Sequence, residues 1–351
     1  MNDNASPSRL RADNFDAIRI VAAGSVIFSH AFLIADGHER NEPFIRFLGQ
    51  PHVLGVYGVF VFLIISGFLV TQSFLTSPTL SSYLWKRFLR IYPGLAACAL
   101  ISACVIAPLF ADTTMRSDGN IAYVRDVLLM QDAWFIPGVS FYADPMGAVI
   151  NGSLWTIRQE IACYAILALF GLTGRRPLVA LIAIALITTT LLNVFNLYPP
   201  SKFFGDMLFC IPAFLGGVLM YFICERFGRS SWIAGFSCLG LVVAGYLGLL
   251  GFAFPFFGAY AVVFLAFAKE IHLGNAARFG DVSYGTYLYG WPIEQMVRSA
   301  FGPSTTWWAV FAISLPLALA SGWLSWHLVE KHALRLKRWR LSANRAWSVE
   351  P

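Results

Sequence analysis

The chain has 351 residues, 58% of them hydrophobic and only 13% charged, with positive mean hydropathy and a formal net charge of +6. Soluble domains carry charge on about a quarter of their residues, so this composition excludes an ordinary soluble enzyme and points to a multi-pass membrane protein. Lys and Arg fall between long apolar runs and form no basic stripe on a soluble element, which argues against a nucleic-acid partner and makes the charge an orientation signal.

With about 20 apolar residues per crossing, the chain reads as an all-α, polytopic transmembrane bundle of about ten spans. They run over residues 15 to 35, 53 to 75, 92 to 111, 153 to 172, 177 to 195, 205 to 224, 232 to 249, 252 to 268, 282 to 300 and 305 to 328. The seventh and eighth are separated by almost no loop, around Gly251 and Pro255. Residues 1–14 form a polar segment without a cleavage pattern, so the first run is expected to stay as an uncleaved span. The membrane domain is expected over 15–330, followed by a basic tail over 331–351.

Placing the N-terminus inside puts Arg9, Arg11, Lys86, Arg87, Arg90, Arg175, Arg176, Arg226, Arg229, Lys269, Arg278 and the tail in the cytoplasm. Only Arg40, Arg46, Arg116, Arg125, Lys202 and Arg298 are left on the opposite side. Both termini are therefore expected to be cytoplasmic. Two outer segments, 36–52 and 111–152, are long enough to cover a site. The six cysteines show neither CxxC pairing nor a His/Cys cluster, so they read as packing residues, and no metal is expected.

The first span, DAIRIVAAGSVIFSH, carries Arg19 and His30 about three helical turns apart, so both leave one face, roughly 16 Å apart along the axis. Ionisable groups inside a span usually face a bundle interior and mark a functional path. Asp16 is spaced to pair with Arg19. The bland alternative is a snorkelling arginine and a histidine satisfied in a helix contact.

The second span contains FLIISGF, where Ser66 and Gly67 either admit a neighbouring helix closely or line a narrow path for a substrate arm. In SSYLWKRFLRIYPG, Pro93 is expected to open the third span. Arg87 and Arg90 lie beside Lys86 on one helical turn, a spacing that suits phosphate binding and equally an inner-surface basic cluster.

The fourth span begins NGSLWTIRQE. Asn151 or Ser153 can cap it, Trp155 suits the interface, and Glu160 is expected near the depth of His30, where it would orient the imidazole as a general base. Neutralisation of Glu160 by Arg158 is the alternative. The ninth span, GDVSYGTYLYGWPIEQ, stacks tyrosines including Tyr284 and Tyr287, which serve as packing or as a binding platform. His327 and Glu330 share a face near the end of the last span.

These pieces together resemble the bacterial membrane acyltransferases of acyltransferase family three, over about Phe15 to Glu330. The resemblance rests on the Arg19 to His30 spacing, FLIISGF, the Arg87 and Arg90 pair, NGSLWTIRQE, SYGTYLY and Glu330. It implies a bacterial inner-membrane enzyme that carries an acyl group, usually acetyl, from cytoplasmic acyl-CoA to a hydroxyl of a carbohydrate or lipid-linked saccharide at the outer side.

His30 then matches the essential histidine and Arg19 its partner. Arg87 and Arg90 match the donor-holding pair, with Lys86, Ser66 and Gly67 beside the donor and Trp155, Asn151, Tyr284 and Tyr287 toward the acceptor. Many relatives carry histidine where this chain has Gly290, so that residue's role does not transfer. The rival is a transporter or flippase using Arg19, His30 and Glu160 as a proton or substrate path. The chain lacks the repeated halves and paired broken helices that transporters often show.

Overall fold

The computed structural model describes residues 14–112, 117–142, 145–268 and 279–338. Arg9, Arg11, Arg116, Lys269, Arg278, Arg340 and Arg345 of the orientation pattern lie outside the described residues, as does the greater part of both terminal segments. Among the described residues the chain is helical, and its β-structure is a single isolated bridge between Ala111 and Val139.

A helix stands at each of the ten expected positions. The order is α1 (Phe15–Asp36), α2 (Leu54–Leu75), α3 (Leu80–Leu109), a shorter α4 (Ser117–Leu128), α5 (Trp155–Gly171) and α6 (Arg175–Val194). It continues with α7 (Lys202–Phe227), α8 (Ser231–Tyr246), α9 (Leu250–Phe267), α10 (Val282–Phe301) and α11 (Trp307–Arg335).

Seven of these are long and apolar enough to cross a membrane, fewer than the ten spans expected. The shortfall is α5, with 17 residues, α8, with 16, and α10. Almost the whole of α10 from Val282 to Val297 is buried by its neighbours, so protein rather than lipid surrounds it and tyrosines, Glu294 and Gln295 are admissible there.

The third helix also departs from expectation. It begins at Leu80, with Thr79 Oγ1 accepting from the Ser82 N–H at 3.1 Å as its cap, and Pro93 sits inside it instead of opening it. Lys86, Arg87 and Arg90 are therefore helical residues. α11 contains a π-turn at Trp326–Glu330 that carries Glu330 into the interior, where it accepts from Ser325 Oγ at 2.8 Å.

The centre of the bundle is α1 against α2, α10 and α11, with α2 also packed on α7. The α2 to α7 contact is backbone to backbone. A Cβ on Gly67 would lie 2.1 Å from the Phe214 carbonyl oxygen, and one on Gly217 would lie 2.0 Å from that of Ile64. Gly67 is thus committed to helix packing, and among the described residues it lines neither of the two cavities of the candidate site. Gly67→Val is expected to cost about 1–3 kcal/mol through overpacking. It should lower the melting temperature in detergent, whereas Gly205→Ala, where nothing lies within 4 Å, should leave it unchanged or raised.

Candidate active site

Two of the cavities among the described residues hold the candidate site residues, one toward each end of the bundle. The first, about 310 Å³, is bordered by α1, α2, α3, α5, α10 and the end of α11. Its organising residue is Asp281, which precedes α10. Asp281 Oδ2 lies 2.5 Å from Arg90 Nη2 and 3.5 Å from Arg19 Nη1, and Oδ1 accepts from Ser283 Oγ at 2.9 Å. Burial alone would raise this carboxyl, but Arg90 and Arg19 outweigh it and hold it below its ordinary range. The carboxylate within ion-pair distance of Arg19 is Asp281; Asp16, expected from spacing, also feels the charge of Arg19 without a direct ion pair among the described residues.

Arg87 is less committed than Arg90. Its Nη2 donates to Ser73 Oγ at 3.4 Å and its guanidinium lies 5.8 Å from the Tyr164 ring centre. Its buried Nε has no hydrogen-bond partner among the described residues. Lys86 turns away to Ser77 Oγ at 2.9 Å and does not line the cavity. Tyr284 lies on this side, its hydroxyl donating to the Ile91 carbonyl at 2.9 Å and its ring 5.6 Å from the Arg90 guanidinium.

Glu160 is here too, which corrects its expected place beside His30. It accepts from Ser66 Oγ at 2.6 Å and from the Tyr164 hydroxyl. The expected depth match failed because α5 turns this side chain toward α2 and the basic cavity. Arg158, the alternative partner of Glu160, instead meets Asp132 at 3.3 Å.

The second cavity, about 490 Å³, contains His30. Trp155 and Trp291 line it, and the 111–152 segment covers it with Trp134, Phe135, Met146 and Val149. Lys202 also lines it, its ammonium 4.4 Å from the Trp134 ring centre. The His30 imidazole meets Trp291 edge to face at 4.8 Å, and its Nδ1 lies 3.5 Å from Oε2 of Glu294, a residue the sequence reading missed. Asn151 belongs to neither cavity. It caps the turn before α5, accepting from Ser153 N at 3.0 Å and donating to the Leu288 carbonyl at 2.8 Å.

Val59 and Tyr287 line both cavities. The Tyr287 hydroxyl donates to the Ser153 carbonyl at 2.7 Å and lies 2.6 Å from Thr156 Oγ1, so the ring is pinned as a partition between the two spaces. The arrangement therefore sets a cationic chamber and a histidine chamber on either side of one thin wall.

The acyltransferase domain model, acyltransferase family three, matches residues 13–327 of the chain. An O-acetyl transferase of Shigella phage Sf6 is 28% identical over 353 residues, covering 95% of this chain and 99% of that protein. Nodulation protein 10 of Rhizobium leguminosarum bv. viciae is 25% identical over 372 residues, covering 96% of each. No solved structure matches the chain. With a family match spanning nearly all of its length, this multi-pass membrane chain belongs to acyltransferase family three and is an enzyme that transfers acyl groups.

Proposed function

We propose that the chain is an inner-membrane O-acetyltransferase that takes acetyl-CoA into the basic cavity from the cytoplasm and acetylates a carbohydrate or lipid-linked saccharide hydroxyl in the His30 cavity at the outer side. The observation that carries this reading is the pair of chambers with opposite chemistry sharing the wall of Val59 and Tyr287. The cytoplasmic assignment rests on the Lys and Arg asymmetry. The acetyl group and its transfer to oxygen rest on the name of the phage relative, and the carbohydrate acceptor class on the tryptophan-rich lining around His30.

Acetyl-CoA fits the basic cavity in chemistry. Arg87 offers an unsatisfied buried N–H to phosphate oxygens, and Lys337 lines the mouth. The chamber accommodates the acyl-pantetheine arm, leaving the nucleotide at the rim beside Lys337. The arm then extends between Val59 and Tyr287 to bring the thioester carbonyl to His30.

His30 takes the acceptor's hydroxyl proton as the oxygen attacks the acyl carbon. The new C–O bond forms, the C–S bond breaks, and the departing CoA thiolate recovers the proton. If the acyl group rests first on the imidazole, the same two cavities serve, with the C–S bond broken before the acceptor attacks.

The reading is tested with [14C]acetyl-CoA added to inverted membrane vesicles of the source cells, whose lumen holds the native acceptor. Label is expected to reach lumenal carbohydrate as a base-labile ester. Absence of label in wild-type vesicles that bind acetyl-CoA would defeat it.

A pH dependence follows from Lys337. Desolvation and the neighbouring Arg90, Arg87 and Lys86 lower its ammonium to about 8. Below that pH the group is charged and attracts the donor; above it, binding must first protonate it. Acetyl-CoA affinity is therefore expected to fall as pH rises through about 8, and Lys337→Arg, which stays charged, should flatten the dependence. A titration by calorimetry between pH 6.5 and 9.5 checks this; identical slopes in the two proteins would contradict it.

A further inference from the structure

Glu294 is a carboxylate with no exposure at all, placed on a helix in the middle of the bundle, and neither of its oxygens has a hydrogen-bond partner among the described residues. An ionisable group so placed is costly and needs a partner. Among the described residues, the one ionisable side chain paired with it is His30, at 3.5 Å through Nδ1, and that nitrogen is itself without a hydrogen bond there.

The juxtaposition is built by the register of α1 on α10. Gly290, one turn before Glu294, has no side chain, so Ile27 packs directly on the helix; a Cβ there would lie 2.9 Å from Ile27 Cγ1. His30, three residues after Ile27, is thereby delivered to Glu294, four residues after Gly290. Trp291 closes the other side of the ring, with its own indole N–H fixed to the Val149 carbonyl at 3.1 Å. The imidazole is confined on two sides, and Nε2 is the nitrogen left for the cavity that His30 lines.

Resting on the reading of His30 given above, we propose that Glu294 is the positioning residue of the reaction. It accepts the Nδ1 proton, fixes the tautomer whose Nε2 is free to act, and balances the charge that appears on the ring when Nε2 takes the acceptor proton. The 3.5 Å separation is that of the unliganded enzyme; such contacts shorten when substrate is bound. Glu160, which lines the other cavity, has no part in this pair.

The test compares wild type, Glu294→Gln, Glu294→Asp and His30→Ala in inverted vesicles with [14C]acetyl-CoA, together with melting temperature and acetyl-CoA titration of the detergent-purified proteins. Glu294→Gln is expected to lower kcat by roughly 10²–10⁴, the scale seen when a histidine loses the carboxylate that orients it. The KM for acetyl-CoA should stay within about twofold, because the donor chamber is untouched. Melting temperature should stay close to wild type, since glutamine fills the same volume and the buried carboxyl has no hydrogen bond to lose among the described residues. Glu294→Asp should recover part of kcat.

Wild-type kcat in Glu294→Gln, with His30→Ala inactive, would overturn the positioning role and leave the reading of His30 standing. A loss of kcat accompanied by lower melting temperature and weaker donor binding would also overturn it, in favour of a structural role. Activity retained in His30→Ala would instead remove the reading on which the proposal rests.

Discussion

His30→Ala is expected to abolish detectable acyl transfer while leaving acetyl-CoA binding and melting temperature close to wild type. Removing a general base costs on the order of 10²–10⁴ in rate, and removing an acyl-accepting residue removes the route altogether. The ring lines the second cavity and not the basic one, so the groups proposed to hold the donor's phosphates do not depend on it. Initial rates in inverted vesicles, paired with donor titration of the same variant, measure both halves. Near wild-type turnover would exclude His30 from the chemistry, and a joint loss of transfer and donor binding would mean that the two chambers are not functionally separate.

The second large effect separates two arginines that the sequence presents as equals. Arg90 is engaged by Asp281 at 2.5 Å, in a cluster that also draws in Arg19 and so ties α1, α3 and α10 together. Its removal leaves Asp281 with the more distant Arg19. The pair is half-buried, its side chains 20% and 16% exposed, so breaking it costs less than the roughly 3–5 kcal/mol of a fully buried pair, and Arg90→Ala should still melt clearly earlier than wild type.

Arg87 has only a long contact to Ser73 and an unsatisfied Nε. Arg87→Ala should therefore keep its stability and lose donor affinity by about ten- to a hundredfold, the worth of one charge-assisted contact. Melting curves and acetyl-CoA titrations of the two single variants decide the matter. Equal stability loss in both, with unchanged affinity in Arg87→Ala, would return the pair to a purely structural role.

The helical architecture was legible because apolar runs of spanning length are a sequence property. Helices stand where those runs predicted them. What hydropathy could not supply was burial by protein, which lets α10 carry Glu294, Gln295 and its tyrosines. Nor could it weigh a strong Thr79 cap against Pro93 at the start of α3.

Spacing pointed to His30, Arg19, Arg87 and Arg90, which line the two cavities, but not to their partners, since the phase between separate helices is invisible in one dimension. Glu160 was matched to His30 by depth alone, and depth leaves the rotation of α5 free. Glu294 carried a usable signal: an acidic residue inside a predicted span, subject to the same cost argument that singled out His30. Asp281 stood in plain view at the start of that span, but its two arginine partners lie on other helices.

The thermal shift that acetyl-CoA produces in wild type, Arg87→Ala and His30→Ala, with ATP as a control, decides whether the donor chamber and the histidine chamber are distinct. A saturable shift is expected in wild type and in His30→Ala, and Arg87→Ala should lose it or need far more donor to reach it. A shift abolished by His30→Ala and retained in Arg87→Ala would contradict that separation.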